Sequence, residues 1–438
     1  MRTSLMTELP ELALLLRDLR RRQARRRNRP ELTYRQLAAE TGWSLGIIAG
    51  YFGGTALAPT DRFDILVTLL DATPAERGTL ATIRDRVQDS RRRGSWRLPI
   101  PRQLPGRYAP LAGRDGHLAI LDDVRGDGAV LMITGMPGVG KSALATHWAH
   151  RRAARFPDGQ LHLNLHGFDF PHHPADPATL LGEILDAFGA DTAHRPTGVA
   201  ALAGLTRSTL ARRRALLVLD DAHDAEQVRP LLPGAAGCLT VITSRNPLTG
   251  LAATEGAQAV MLGPLSLQEA RDLFFRRLGP RRVAAEPGAV DQIIADCGTL
   301  PLALAVMAGR AVAHPTMPLA ALAGILHHTG LDALSAADTA ADVRAAFQRS
   351  YQALDARAAA LFNRLGNHRG PVLDAAAATR IGGFTPAGSR MVLAELARTG
   401  LLVEQAPDWY AMHELVRAYA AETRHPRGSD RVAHHEQC

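Results

Sequence analysis

The chain of 438 residues has a single lysine, Lys141, while 50 of its 51 basic residues are arginine. A mutational bias towards GC-rich codons removes lysine wherever arginine can serve, so the one position that keeps it is informative. Cysteine is scarce too: Cys238, Cys297 and Cys438 are scattered and odd in number. That pattern excludes a disulfide framework and metal-ligand spacing. No apolar stretch approaches the roughly 20 residues of a membrane span. In the N-terminal segment the charge follows the apolar part instead of preceding it, which excludes a signal peptide. These absences lead us to expect a soluble cytoplasmic protein. Aromatic residues make up only 5% of the chain, against an ordinary apolar fraction of 46%. Alanine, leucine and arginine dominate, a composition that favours helix.

The formal charge of +8 is unevenly placed. Residues 1–30 hold nine arginines against Glu8, Glu11 and Asp18, and residues 91–107 add six arginines with no acid. Concentrated positive charge suits phosphate backbones; a solvated helix face followed by a basic linker is the plainer alternative.

Residues 11–88 read as five short helices. Leu12, Leu15, Leu16 and Leu19 mark the first apolar face,. A second helix follows Thr33, Gly42 makes a turn, and a third runs from Ser44 to Phe52. A fourth begins near Asp61. The fifth opens on Thr73-Pro74-Ala75-Glu76, with a cap, a proline at the first position and a glutamate three after the cap,. Helix, glycine turn and helix within some twenty residues is a helix-turn-helix pattern. Apolar runs at Ala129–Thr134, Leu161–Leu165, Ala215–Leu219, Leu239–Thr243 and Ala259–Leu262 alternate with helical stretches, which predicts a parallel three-layer α/β domain,. Two further strands, Leu401–Glu404 and Trp409–Met412, flank Pro407-Asp408 like the wing of a winged helix. The expected fold is therefore multidomain and mainly α with one α/β domain. Its parts are a helix-turn-helix bundle at 1–88, a basic linker at 89–108, a parallel-sheet P-loop NTPase domain at 109–264, a helical domain at 265–330, a winged-helix domain at 331–421 and a tail at 422–438.

Gly135-Met136-Pro137-Gly138-Val139-Gly140-Lys141-Ser142 fits the pattern G-x-x-x-x-G-K-[ST],. The chemistry needs these residue types. Backbone N–H groups must wrap phosphate oxygens, so Gly135, Gly138 and Gly140 supply backbone angles that other residues avoid, with Val139 between them. The following helix points its positive end at the same phosphates. Lys141 adds a flexible point charge at the β/γ-phosphates, which the planar fork of arginine would serve poorly. Ser142 offers a hydroxyl to Mg²⁺. Leu216–Leu219 then ends in Asp220-Asp221. Asp220 is expected to hold magnesium through water and Asp221 to polarise an attacking water, with Lys141 assisting. A polar strand end at a loop is the alternative. Arg245, after the next strand, can reach a γ-phosphate as a sensor or lie on the surface. The expected ligand is ATP or ADP with Mg²⁺.

These residues resemble the NB-ARC branch of the STAND signal-transduction ATPases. Leu111-Ala112-Gly113-Arg114 looks like the family's opening motif beside adenine, which assigns Gly113 and Arg114 to the nucleotide. Leu161–Phe168 looks like the second-strand signature. Leu219–Ala222 and Thr243-Ser244-Arg245 resemble the Walker B and sensor segments. Cys297–Ala303 resembles G-L-P-L-A with Thr299 inserted; the resemblance places Pro301 on the base. Ala411–Leu415 resembles the M-H-D motif, whose histidine, here His413, contacts the β-phosphate of ADP in the family. Glu414 replaces the family's aspartate, and the extra methylene is expected to weaken a closed ADP state. Taken alone, His413 reads as a packed core histidine; the ordered set of motifs turns that reading towards the nucleotide. No period of 34 or 40 residues appears, so a built-in repeat sensor is expected to be missing.

Residues 11–88 resemble the Cro/repressor type of helix-turn-helix domain. The reading helix would be Ser44–Phe52, which offers Ser44 and little else for base edges,. Arg35 and the Arg20–Arg29 run can bind phosphate, which positions without specifying. Together the resemblances imply a nucleotide-operated switch, at most a slow ATPase, acting as a DNA-binding transcriptional regulator with nucleotide-dependent self-association. The alternatives are a protein-binding signalling or defence module and a plain ATPase motor.

Overall fold

The computed structural model describes residues 8–54, 56–93, 100–106, 111–124, 128–169, 173–190, 195–336, 341–368, 370 and 372–424. Residues 425–438 of the tail expected at 422–438 and part of the linker expected at 89–108 lie outside them; residues 422–424 instead end the last helix, where Glu422 pairs with Arg344. The chain divides into two compact units, Met1–Pro99 and Ile100–Cys438.

The first unit is a bundle of α1 (Glu8–Arg26), α2 (Tyr34–Thr41), α3 (Leu45–Gly53), α4 (Thr60–Leu69) and α5 (Pro74–Arg93). Its short helices begin where the sequence supplies caps. The Thr33 hydroxyl accepts from the Gln36 N–H while the Gln36 side chain accepts from the Thr33 N–H, a reciprocal cap,. Gly42, at φ 72°, ends α2 in the left-handed region that glycine adopts without a Cβ penalty,. The Ser44 hydroxyl caps α3. Leu16, Leu37, Ile48, Phe52, Phe63 and Leu66 fill the interior. The first and last helices are longer than the sequence suggested. In particular α5 continues through 89–93, which we expected to be linker, because no breaker interrupts that charged run.

The second unit is built on five parallel strands: β1 (Val130–Gly135), β2 (Gly159–Asn164), β3 (Ala215–Ala222), β4 (Leu239–Ser244) and β5 (Gln258–Leu262), in the order β2-β3-β4-β1-β5. Side chains alternate across the sheet as the period of two requires. Leu131, Ile133, Leu216 and Val218 face one core; Val130, Met132, Leu217 and Leu219 face the other. Helices α6 (Asp115–Asp123), α7 (Lys141–Arg152), α8 (Pro177–Ala187), α9 (Val199–Leu210), α10 (Ala225–Val228) and α11 (Thr249–Thr254) connect these strands or precede them. Residues 100–106, also expected to be linker, begin this unit: Arg102 bridges Gln160 in parallel, and the Gln103 N–H donates to Gln160 O at 2.8 Å.

Next come α12 (Leu267–Leu278), α13 (Pro280–Ala285), α14 (Pro287–Asp296), α15 (Pro301–Ala313) and α16 (Leu319–Thr329), all helical as expected. The C-terminal segment holds α17 (Val343–Gln352), α18 (Ala356–Leu365), β6 (Val372–Asp374), α19 (Ala375–Gly382), α20 (Pro386–Arg398), β7 (Val403–Ala406), β8 (Trp409–Ala411) and α21 (Glu414–Arg424). Its antiparallel sheet has three strands, β6-β8-β7, where the sequence suggested two. The missed strand spans three residues, too few to show alternation. One hydrophobic core runs without interruption from Leu131 and Leu144, on one sheet face, to Val416 and Tyr419 in α21. The phosphate-loop sheet and the C-terminal helices therefore share an interior. Among the described residues no helix is long and apolar enough to cross a membrane.

Candidate phosphate-binding site

At the end of β1 the loop is shaped by glycines whose side chains would have no room or no allowed angle. Gly135, at φ 145°, faces Leu262 O so closely that a Cβ would lie 2.5 Å from it. Gly138 (φ 78°) and Gly140 (φ 94°) complete the turn, and Gly140 leads directly into α7. Val139 is fully buried and anchors the loop from beneath. Arg114 braces it from the side: its Nη2 donates to Val139 O at 3.0 Å and to Gly263 O at 2.8 Å. Gly113, at φ 66°, has Glu269 where a Cβ would stand.

Lys141 lies under this loop, 9% exposed, with Nζ donating to Gly135 O at 2.8 Å and Met136 O at 2.9 Å. Burial pushes its ammonium down to about 7, Arg245 adds to the fall, and Asp221 and Asp220 oppose it. Charged groups buried with incomplete compensation respond in this way. A polyphosphate would supply the compensation.

The two carboxylates at the end of β3 are not equivalent. Asp220 Oδ1 accepts from the Thr243 hydroxyl at 2.5 Å, and its Oδ2 lies 3.9 Å from His162 Nε2. Burial lowers the pKa of His162 and Asp220 opposes that fall. Asp221 sits at φ 55°, inside an irregularity of the β3–β4 pairing between Leu219 and Ala222. Aspartate tolerates that region better than most residues. Its Oδ2 accepts from the Phe168 N–H at 3.1 Å, and its Oδ1 lies 3.8 Å from Arg245 Nε. Asp221 thus ties down the second-strand loop and balances Arg245, in addition to lining the cavity. Ser142 and Asp220 line the same cavity. A hydroxyl and one carboxylate suit Mg²⁺, which keeps several waters and takes few protein ligands beside phosphate oxygens.

Arg245 lines the cavity and is not the surface residue of the alternative reading, and its guanidinium is held by a neighbouring helix. It is 8% exposed, and its Nη1 donates to Ala346 O at 3.1 Å and to the Ser350 hydroxyl at 2.7 Å, both on α17. Its guanidinium carbon lies 4.8 Å from the Phe168 ring centroid. Burial pushes it down to about 10, against the pull of Asp221. The Ser350 hydroxyl donates onward to Thr399 O at 2.7 Å. The next residue, Gly400 (φ 72°), packs so tightly that a Cβ would lie 3.1 Å from Pro137 Cδ. On the other side the Leu302 N–H donates to Gly138 O at 3.1 Å, next to Pro301. The phosphate loop is therefore gripped by both α15 and the C-terminal segment.

These groups enclose a cavity of about 580 Å³. Of the residues singled out in the sequence, Arg114, the loop from Gly138 to Ser142, Asp220, Asp221, Arg245 and Pro301 line it. Gly135 and Gly113 stand behind the wall and shape it. His413 is not brought there. Its Nε2 pairs with Gly298 O at 2.9 Å and its Nδ1 accepts from the Leu415 N–H at 3.2 Å. Both ring nitrogens are used by backbone in a neutral ring, and burial lowers the pKa accordingly. Glu414 packs over Gly298 beside it, its carboxyl raised by burial and by Asp296. Among the polar cavity residues, Asp169, Arg277 and Arg349 escaped the sequence reading, and Asn164 entered it only as part of the second-strand signature. Asn164 ends β2 in register with Asp220, at the strand ends where open α/β sheets bind ligands, and that rule could have found it,. Arg349 carries no such signal.

A family model described as an AAA domain matches residues 124–269. The regulatory protein AfsR of Streptomyces griseus is 39% identical over 327 residues, 73% of this chain and 33% of that protein. AfsR of Streptomyces coelicolor matches at 39% over 332 residues, again 73% and 33%. A probable disease resistance protein of Arabidopsis thaliana is 28% identical over 212 residues, 46% of this chain and 23% of that one. The chain spans about a third of the length of the AfsR relatives. The matched phosphate-loop domain, the AfsR relatives and the plant resistance protein together support an NB-ARC/STAND-like P-loop protein.

Proposed function

We propose that this chain is an ATP/ADP-operated switch acting in the cytoplasm as a DNA-binding transcriptional regulator. The observation that carries the reading is the grip on the phosphate loop. Arg245 reaches from the end of β4 into α17, and Gly400 rests on Pro137. Any ligand that crowds this cavity acts on the C-terminal segment directly. In the proposed closed form the N–H groups of residues 138–142 and Lys141 hold the phosphates, and Pro301 packs on the base. Ser142 and Asp220 hold magnesium, which neutralises phosphate charge when bound. A γ-phosphate would compete with α17 for Arg245, releasing the C-terminal winged-helix domain and permitting self-association. The shift can be no larger than the difference in ATP affinity between open and closed forms. Asp221, engaged with Phe168 and Arg245, suits slow hydrolysis that resets the switch. The name regulatory protein carried by the AfsR relatives supports a regulatory output. Light scattering with ADP and with a non-hydrolysable ATP analogue tests the switch; identical size and identical DNA affinity in both would defeat it.

A second reading is favoured by α3. Treated as the reading helix of a helix-turn-helix domain, it exposes Leu45, Gly46, Ala49 and Gly53, while the Ser44 hydroxyl accepts as its cap and Tyr51 is buried. Such a face suits a protein partner better than base edges. Duplex binding across a salt series separates the two: affinity that is wholly salt-driven, with no preference among sequences, supports the protein-binding module.

A further inference from the structure

We infer that Arg349, on α17, binds the phosphate chain of the nucleotide and so ties closure of the C-terminal segment to occupancy of the cavity. The inference rests on the nucleotide reading above and names the residue that couples it to the fold.

Arg349 lines the same cavity as Lys141, Asp220 and Arg245. Its Nε is buried without a hydrogen-bond partner, and among the described residues its side chain makes no ion pair. A buried guanidinium nitrogen left unpaired costs free energy unless something satisfies it. The buried cations at the site all have partners: Lys141 holds two carbonyls, Arg114 two, and Arg245 a carbonyl, a hydroxyl and a nearby carboxylate. Arg349 alone is left over.

Its position is fixed rather than incidental. Ala346, whose carbonyl holds Arg245, lies three residues before Arg349 on the same helix and so shares a face with it,. The register of α17 is pinned further by the Ser350–Thr399 hydrogen bond. Arg349 stands close enough to Arg245 for the two charges to oppose each other. An anion in the cavity would relieve both. A planar fork suits two phosphate oxygens. His413, the residue expected to report on phosphate from the C-terminal segment, has both ring nitrogens committed to backbone and cannot take that role in this arrangement. By linkage, a phosphate that stabilises Arg349 in the cavity stabilises the closed segment by the same factor.

The test is calorimetric titration of the full chain with ADP and with adenosine. Arg349→Gln is expected to weaken ADP at least tenfold while leaving adenosine unchanged and the melting temperature within a few degrees. Arg349→Lys, which keeps charge but lacks the fork, should lose at least threefold and decides the matter where the glutamine variant does not fold. His413→Gln should bind ADP within about twofold of the unaltered chain. Limited proteolysis adds a second readout: ADP should slow cleavage in the C-terminal segment of the unaltered chain and fail to do so in Arg349→Gln. An Arg349 variant that binds ADP as tightly as the unaltered chain overturns the assignment and leaves the nucleotide reading standing. An unaltered chain that binds no ADP removes both.

Discussion

The phosphate site and the N-terminal bundle are both rich in arginine, yet their charges are in different states. In the bundle much of the charge is already spent. Arg20 pairs with Glu31, Arg22 with Glu76 across 54 residues of sequence, and Arg27 with Asp71 across 44. In the cavity the cations converge on one space, with Arg349 unpaired and Lys141 depressed by burial. A count of charges is thus a poor guide to anion binding. What matters is whether a cation has a partner within its own fold, and whether water can reach it to screen it.

The contrast can be broken most severely at Lys141. Lys141→Ala should lower ATP and ADP affinity at least ~100-fold, about 2.7 kcal/mol, with the fold retained; calorimetry and thermal melting check it, and a variant that still responds to ATP would refute nucleotide binding through this lysine. Next is the grip between loop and C-terminal segment. Ser350, fully buried, accepts from Arg245 and donates to Thr399 O. Ser350→Ala should cost roughly 1.5–3 kcal/mol, because a charged donor loses its acceptor; urea unfolding measures it. The bundle provides a sharper comparison of spent and available charge. Arg25, Arg26 and Arg29 form no ion pair among the described residues. Changing all three to glutamine should reduce the salt slope of duplex binding by about 2 to 3, at ~0.9 for each phosphate no longer neutralised. Changing Arg20, Arg22 and Arg27 should instead lower the melting temperature with little effect on that slope.

The smallest effect expected is a pH dependence at His413. Burial lowers its pKa below the ordinary 6.5. The unfolded chain therefore takes up a proton near that pH before the folded chain does, and stability falls as pH drops below it. His413→Gln should flatten the stability profile on the acid side. Glu414, raised above 4.5, works in the opposite sense, its contribution being lost as pH rises through its folded value. Comparing Glu414→Gln with His413→Gln by thermal melting from pH 4 to 8 separates the two slopes.

Legibility followed the range of the interactions involved. The five parallel strands were readable because each is a run of apolar, often β-branched residues long enough to stand out. The cap at Thr73-Pro74-Ala75-Glu76 was readable because its partners are three residues apart, and the Thr73 N–H does donate to Glu76 at 2.9 Å. The short strand β6 was not, since three residues show no period. The end of α5 was not, since an arginine run carries no stop signal. Arg245 was chosen correctly as a cavity residue, but its partners in α17 lie 101 and 105 positions away. His413 was placed by motif order alone, and only its packing against Gly298 revealed where its nitrogens point.

The sequence by itself determined the phosphate loop. Its glycines, its lysine and its serine are adjacent in the chain, and the backbone angles they permit leave few other shapes. Tertiary structure decided which arginines remain available, that the C-terminal segment holds Arg245, and that Arg349 and not His413 faces the cavity. Those outcomes depend on which distant groups a single continuous core brings together, and no local pattern in the chain encodes the distance between them.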